Sequence, residues 1–132
     1  MVHDPKNIRN IILVSHSSAG KTTLAEALLY TAKAIPKMGS VDAGDTVSDY
    51  NPDEKERKTS INASILHCMA DGVKVNVIDT PGFADFAGEV IAGFNAVEGA
   101  VLVVNATSGI EVGTNRSWKL IEKYRCPAAI FI

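Results

Sequence analysis

The chain has 132 residues, 46% of them apolar and 21% charged, with a formal net charge of −2. That length supports one globular domain able to bury most of its unfolded surface. The near balance of charge excludes a basic module that draws nucleic-acid backbones or anionic membranes through its overall field, so direct sequence-specific nucleic-acid reading is not expected. No run approaches the length of about 18 apolar residues that a membrane helix needs, and the four aliphatic residues at 11–14 are too few for a signal-peptide core, so a cytoplasmic location and no membrane partner are expected.

Ile8 to Ser15 reads as a strand with a continuous aliphatic stretch, followed by the loop "SHSSAGKTT" and a helix over Lys21–Ala34 that carries Leu24, Leu28 and Ala32 at i, i+4, i+8. Residues 35–59 lose periodicity and collect Pro, Gly, Asp, Ser and charge, the composition of a long functional or disordered loop. Ser60–Ala70 and Gly72–Asp79 read as an antiparallel strand pair joined by a turn at Asp71-Gly72, with Val73, Val75 and Val77 alternating with Lys74 and Asn76. A helix is expected over Asp85–Val97 with Phe86, Val90, Phe94 and Val97 on one side, where Gly88 and Gly93 each cost roughly 1 kcal/mol against Ala. The strand Ala100–Asn105 follows, then a helix over Val112–Tyr124 placing Trp118, Ile121 and Tyr124 on a shared, core-facing side, and a last apolar strand over Ala128–Ile132. Alternating strands and helices predict an α/β fold with a mostly parallel sheet covered on both faces. Because the chain stops on Ile130-Phe131-Ile132, in a strand read as buried, it is expected to be a fragment of a longer protein. Cys68 and Cys126 follow no CxxC spacing and read as two reduced, packed thiols.

Chemistry concentrates in two motifs. A loop between a strand and a helix presents backbone N–H groups at a positive helix end, and a glycine there lets phosphate approach without a Cβ in the way. Gly20 supplies that glycine, Lys21 the cation for β- and γ-phosphates, the Thr22 hydroxyl a Mg²⁺ ligand and Thr23 a group facing the α-phosphate, while Ser15 stands where the usual pattern has its first glycine. In "VIDTPGFADF", residues 77–86, Asp79 ends an apolar strand and faces Mg²⁺ through water. Pro81-Gly82 forms a tight turn whose Gly82 N–H meets a γ-phosphate. His3, His16 and His67 have no metal-ligand spacing.

These motifs resemble the guanine-nucleotide domain of translational GTPases, most closely elongation factor G and its paralogues. The family's A-H-I-D-A-G-K-T-T loop is matched at His16, Ala19, Gly20, Lys21, Thr22 and Thr23, with Ser15 at a position that tolerates alanine and Ser17 and Ser18 between. "DYNPDEKERKTSI", residues 49–61, is similar to the first switch, with Glu56, Arg57 and Ile61 matching E-R-G-I-T-I and Ser60 in the place of the threonine that contacts Mg²⁺ and γ-phosphate; read without the resemblance, the segment is a solvated charged loop. Further matches at Gly99-Ala100, Gly109, Glu111, Trp118 and Lys123-Tyr124 extend the resemblance over nearly the whole chain. It implies a P-loop NTPase fold of the G-domain type, truncated after the fifth strand, with switch I at about 35–60 and switch II at about 80–90. The implied cofactors are GTP/GDP and Mg²⁺, with Thr22, Ser60 and Asp79 at the metal, and the implied partner is the ribosome.

Two departures bear on mechanism. The family's D-T-P-G is followed by a histidine that organises the attacking water, and Phe83 occupies that place; phenylalanine neither donates nor accepts, so binding is expected to persist while hydrolysis slows. Ser18 replaces an aspartate of many relatives, and the base-reading N-K-x-D would begin where the sequence stops. The leading expectation is a ribosome-dependent GTPase. The alternatives are a nucleotide switch that hydrolyses poorly and, more distantly, an unrelated P-loop ATPase domain.

Overall fold

Four consecutive aliphatic residues, Ile11-Ile12-Leu13-Val14, need apolar cover on both faces, and the strand that carries them, β1 (Ile8–Ser15), lies at the centre of a five-stranded sheet. In this computed structural model, which describes residues 4–132, β1 is followed by α1 (Lys21–Thr31), α2 (Pro52–Arg57), β2 (Ser64–Ala70), β3 (Val73–Asp79), α3 (Ala87–Phe94), β4 (Gly99–Val103), α4 (Val112–Tyr124) and β5 (Ala128–Phe131). The reading of His3 lies outside the described residues. Strand order is β2-β3-β1-β4-β5, parallel except for β2 against β3. The chain moves to one side of β1 for β2 and β3 and to the other for β4 and β5, so a crevice opens beyond the carboxyl end of β1. Among the described residues no helix is long and apolar enough to cross a membrane.

The alternation of β1 separates two cores. Ile12 and Val14 join Ile78, Val90, Phe94, Leu102 and Ile121 under α3 and α4, while Leu13 joins Ala25, Leu29, Leu66, Cys68 and Val77 under α1. Gly93 belongs to the first of these cores: a Cβ there would lie 2.7 Å from Ile12 Cδ1, so the residue that weakens α3 is the one that lets it approach β1. Asp71 and Gly72, at φ 48° and 80°, make the expected tight turn between β2 and β3.

Several expectations are corrected. Helix α1 stops at Thr31, because Lys33 turns left-handed (φ 57°) and the Ala34 N–H returns to Leu29 O at 2.8 Å. Its buried stripe is Lys21, Thr22, Ala25, Glu26 and Leu29, one step round from the expected Leu24, Leu28 and Ala32. The segment over 85–97 begins as a 3-10 turn, Ala84–Phe86, and helix α3 ends at Phe94. Strand β4 runs from Gly99 to Val103, where the Asn105 side chain gathers the Thr107 and Ser108 N–H groups into a turn. Trp118 is 42% exposed, since the small residues Gly113, Thr114 and Ser117, with Ile121, form the buried side of α4. Strand β5 is one of the sheet's two edge strands and exposed along its length, and Cys126 precedes it.

The aperiodic segment 35–63 is organised by three carboxylates. Glu26, with no exposed surface, accepts the Gly39 and Val47 N–H groups at 2.7 and 2.6 Å. Glu54, on the short helix α2, accepts Ile61 N–H and Asn62 N–H, both at 3.0 Å, and Glu89 of α3 accepts Ala63 N–H at 2.9 Å. Those amides are thereby taken from any strand partner, which is why β2 starts at Ser64 and not at Ser60. Replacing Glu26 by Ala is expected to lower hydrogen-exchange protection of the Gly39 and Val47 amides by about tenfold or more, with β1 and β3 amides unchanged, measured by residue-resolved exchange.

Candidate functional site

The crevice beyond β1 is bordered by the loop 15–22, the end of β3 and the segment 41–60, and encloses a cleft of about 320 Å³. Ser17, Ser18, Gly20, Lys21, Thr22 and Thr23 line one wall, and Asp49, Ser60 and Gly82 line the others. Gly20, at φ 100°, caps α1 without any side-chain acceptor, so the first N–H groups of the helix meet no capping side chain and present partial positive charge to the cleft. Ser18 also turns left-handed (φ 59°), which curls the loop.

Lys21 is buried and donates from Nζ to Ser15 Oγ at 2.9 Å and to His16 O at 3.1 Å. The serine in place of a glycine is therefore a hydrogen-bond partner of the lysine. Burial lowers the Lys21 pKa to about 8, with Asp79 and Asp49 pulling it back upward. A desolvated cation of this kind gains strongly from an anion brought beside it.

Register pairs Leu13 with Asp79, and the Thr80 hydroxyl donates to Leu13 O at 2.7 Å, so the end of β3 is fixed beside the loop. Asp79 Oδ2 accepts Ser48 Oγ at 2.6 Å and Thr22 Oγ1 at 2.8 Å. Asp49 Oδ1 accepts Ser60 Oγ at 2.7 Å, and Ser60 Oγ lies 3.2 Å from Thr22 Oγ1. Asp79 Oδ1 and Asp49 Oδ2 are buried without a hydrogen-bond partner. Burial raises the pKa of both carboxyls, opposed by the Ser48 and Thr22 hydroxyls at Asp79 and by the Ser60 hydroxyl at Asp49.

Thr22, Ser60 and Asp79 thus converge, and Pro81 and Gly82 are buried beside them. A Cβ on Gly82 would fall 2.6 Å from the Ser17 N and Cα atoms and 2.7 Å from Lys21 Nζ, so only glycine fits against the loop. Phe83 is 44% exposed in extended backbone at the start of the 3-10 turn. His16 turns its ring away: Nδ1 accepts the Gly113 N–H at 3.2 Å, and only the His16 backbone carbonyl serves Lys21. Ala19 lies on the other side of the loop, in a second groove of about 360 Å³ that it shares with Leu24, Asn105, Thr107 and Phe131. Sequence reasoning missed Ser48 and the role of Asp49. No motif or spacing in the sequence marks either of them.

The family described as the elongation factor Tu GTP binding domain matches residues 6–132. The chain is 41% identical over 128 residues to the elongation factor G-like protein of Mycobacterium tuberculosis (strain ATCC 25618 / H37Rv), covering 97% of this chain and 18% of that protein. It is 40% identical over 124 residues to the mitochondrial ribosome-releasing factor 2 of Candida dubliniensis, covering 94% of this chain and 15% of that one. A crystal structure of a protein from Thermus thermophilus superposes with a TM-score of 0.90 at 37% identity, over 93% of this chain and 19% of that chain. The chain therefore spans less than a fifth of the curated relatives it matches. Gly82→Ala is expected to force the loop and the 81–83 turn apart and to weaken nucleotide binding by about tenfold or more with helix content retained, read by fluorescent-nucleotide titration alongside circular dichroism.

Proposed function

Because the chain belongs to the family of elongation factor Tu GTP binding domains, with elongation factor G and G-like proteins among its relatives, we propose that this protein binds GTP and GDP with Mg²⁺ and hydrolyses GTP on the ribosome. The observation that carries the reading is the meeting of Lys21, Thr22, Asp79 and Gly82 in one cleft at the carboxyl end of β1 and β3. The names of relatives, an elongation factor G-like protein and a mitochondrial ribosome-releasing factor, support the ribosome as partner, and the location in this reading is cytoplasmic.

In this reading the backbone of residues 15–23 wraps the phosphates, with Ser17, Ser18, Ala19 and Gly20 supplying close backbone approach. Lys21 leaves Ser15 and the His16 carbonyl for phosphate oxygens. The groove beside Ala19 and Asn105 leaves room for the sugar and base, and the preference for guanine is taken from the family. The two unpartnered carboxylate oxygens of Asp79 and Asp49, with three hydroxyls around them, fit a hard divalent cation. Thr22 and Ser60 would hold Mg²⁺ directly, with Asp79 and Asp49 behind water; when bound, the ion neutralises phosphate charge. Gly82 approaches the terminal phosphate, so the segments 35–60 and 80–90 respond to its presence.

Phe83 has no group that can orient water, and it favours a second reading: a switch that exchanges nucleotide and hydrolyses it slowly. In single-turnover assays of the full-length protein with ribosomes, Phe83→His is expected to hydrolyse GTP about tenfold faster or more, with nucleotide affinity unchanged. Wild-type GTP that stays intact for many minutes on ribosomes overturns the hydrolase reading in favour of the switch. Failure of GTP to compete better than ATP for the cleft overturns guanine preference.

A further inference from the structure

Three contacts tie the start of α4 to the cleft, and the GTP-binding reading uses none of them. The Gly113 N–H donates to His16 Nδ1 at 3.2 Å, and Glu111 Oε1 lies 3.6 Å from Nε2 across the ring. Farther along the same helix, Arg116 Nη2 donates to Gly82 O at 3.1 Å. The first junction is tight, since a Cβ on Gly113 would fall 2.6 Å from His16 Cα and Nδ1, and Gly82 in turn packs closely on the loop, where a Cβ would fall 2.6 Å from the Ser17 backbone. The start of α4 thus grips residue 16 of the phosphate loop and residue 82 of the turn that packs on residue 17.

The two grips act on different parts of the site. Pro81 has its φ fixed by its ring, but Gly82 has the widest backbone freedom in the turn and belongs to no helix or strand. An external tether on its carbonyl therefore decides how the Gly82–Phe83 peptide lies. His16, by contrast, anchors the loop that surrounds the phosphates common to GDP and GTP.

We propose that the N-terminal part of α4 is a latch on the nucleotide loops, in which Arg116 is a positioning residue for Gly82 and so for the terminal phosphate, and His16 a positioning residue for the loop 15–22. The proposal rests on the GTP-binding reading and extends it: the arginine distinguishes GTP from GDP without touching either. Loss of Arg116 releases Gly82 and weakens only nucleotides that carry a γ-phosphate. Loss of the His16 acceptor loosens the loop for both.

Equilibrium titration of the full-length protein with fluorescent GDP and a fluorescent non-hydrolysable GTP analogue tests the latch. Arg116→Met is expected to weaken the GTP analogue roughly five- to tenfold while GDP stays within about twofold, and Arg116→Lys to recover part of the loss. His16→Ala is expected to weaken both nucleotides by a similar factor, and His16→Asn, whose Oδ1 can accept the Gly113 N–H, to restore them. Should Arg116→Met not fold, Arg116→Gln carries the same expectation. Equal loss of both nucleotides at Arg116, or no loss, overturns the latch. Wild-type protein that binds neither nucleotide overturns the GTP-binding reading and the latch with it.

Discussion

A buried lysine beside two buried carboxylates sets the terms for the rest of this domain. Lys21, Asp79 and Asp49 are each less than a tenth exposed, and charges so placed cost several kcal/mol apiece unless partners surround them. The partners come from three separate parts of the chain: Ser15 from the phosphate loop, Thr22 from α1, and Ser48 and Ser60 from the segment before β2. Register matters to the residue, because a one-residue slip of β3 against β1 would send the Asp79 side chain to the opposite face of the sheet. The Thr80 hydroxyl on Leu13 O guards against that slip.

The same economy of buried carboxylates shapes the segment 35–63. Glu26 and Glu54 are fully buried, yet each is surrounded by backbone N–H groups and not by cations. The segment is held by acceptors on α1 and α3 outside it and on α2 within it, while its Met38, Val47 and Tyr50 side chains stay exposed. A stretch held by a handful of polar bonds opens at lower free energy than the strands behind it.

What the sequence made legible was chemistry local in the chain. The strand-loop-helix order, Lys21, Thr22, Asp79 and Gly82 could be found because each follows from spacing within one motif, and the structure brings them together. Ser48 and Asp49 could not, since nothing within their own segment marks them and only the fold carries them to Asp79. Arg116 is equally silent, its partner lying 34 positions away. The helices show a subtler limit. Periodicity predicted a stripe on α1 but not its rotation: the phosphate loop forces Lys21 and Thr22 inward, and Ala25 and Leu29 follow, which turns Leu24 and Leu28 partly outward. On α4 the largest residue was expected inside, but the buried side is Gly113, Thr114 and Ser117, with Gly113 required by its close approach to His16, and Trp118 is left half outside. Strand β5, apolar enough to suggest burial, is exposed at the sheet's rim.

The bond from Glu89 to the Ala63 N–H joins two segments that differ in everything else, one a helix following the Pro81-Gly82 turn, the other the last residue before β2. With α3 coupled to the root of the 35–63 segment, the two are geared: rotation of the helix draws the amide with it, and displacement of the segment pulls on the helix. Their conformations are then counted together, as correlated pairs, and independent motion of either carries the cost of one broken charge-assisted bond. The Glu89 carboxylate therefore links the two segments directly, outside the cleft between them.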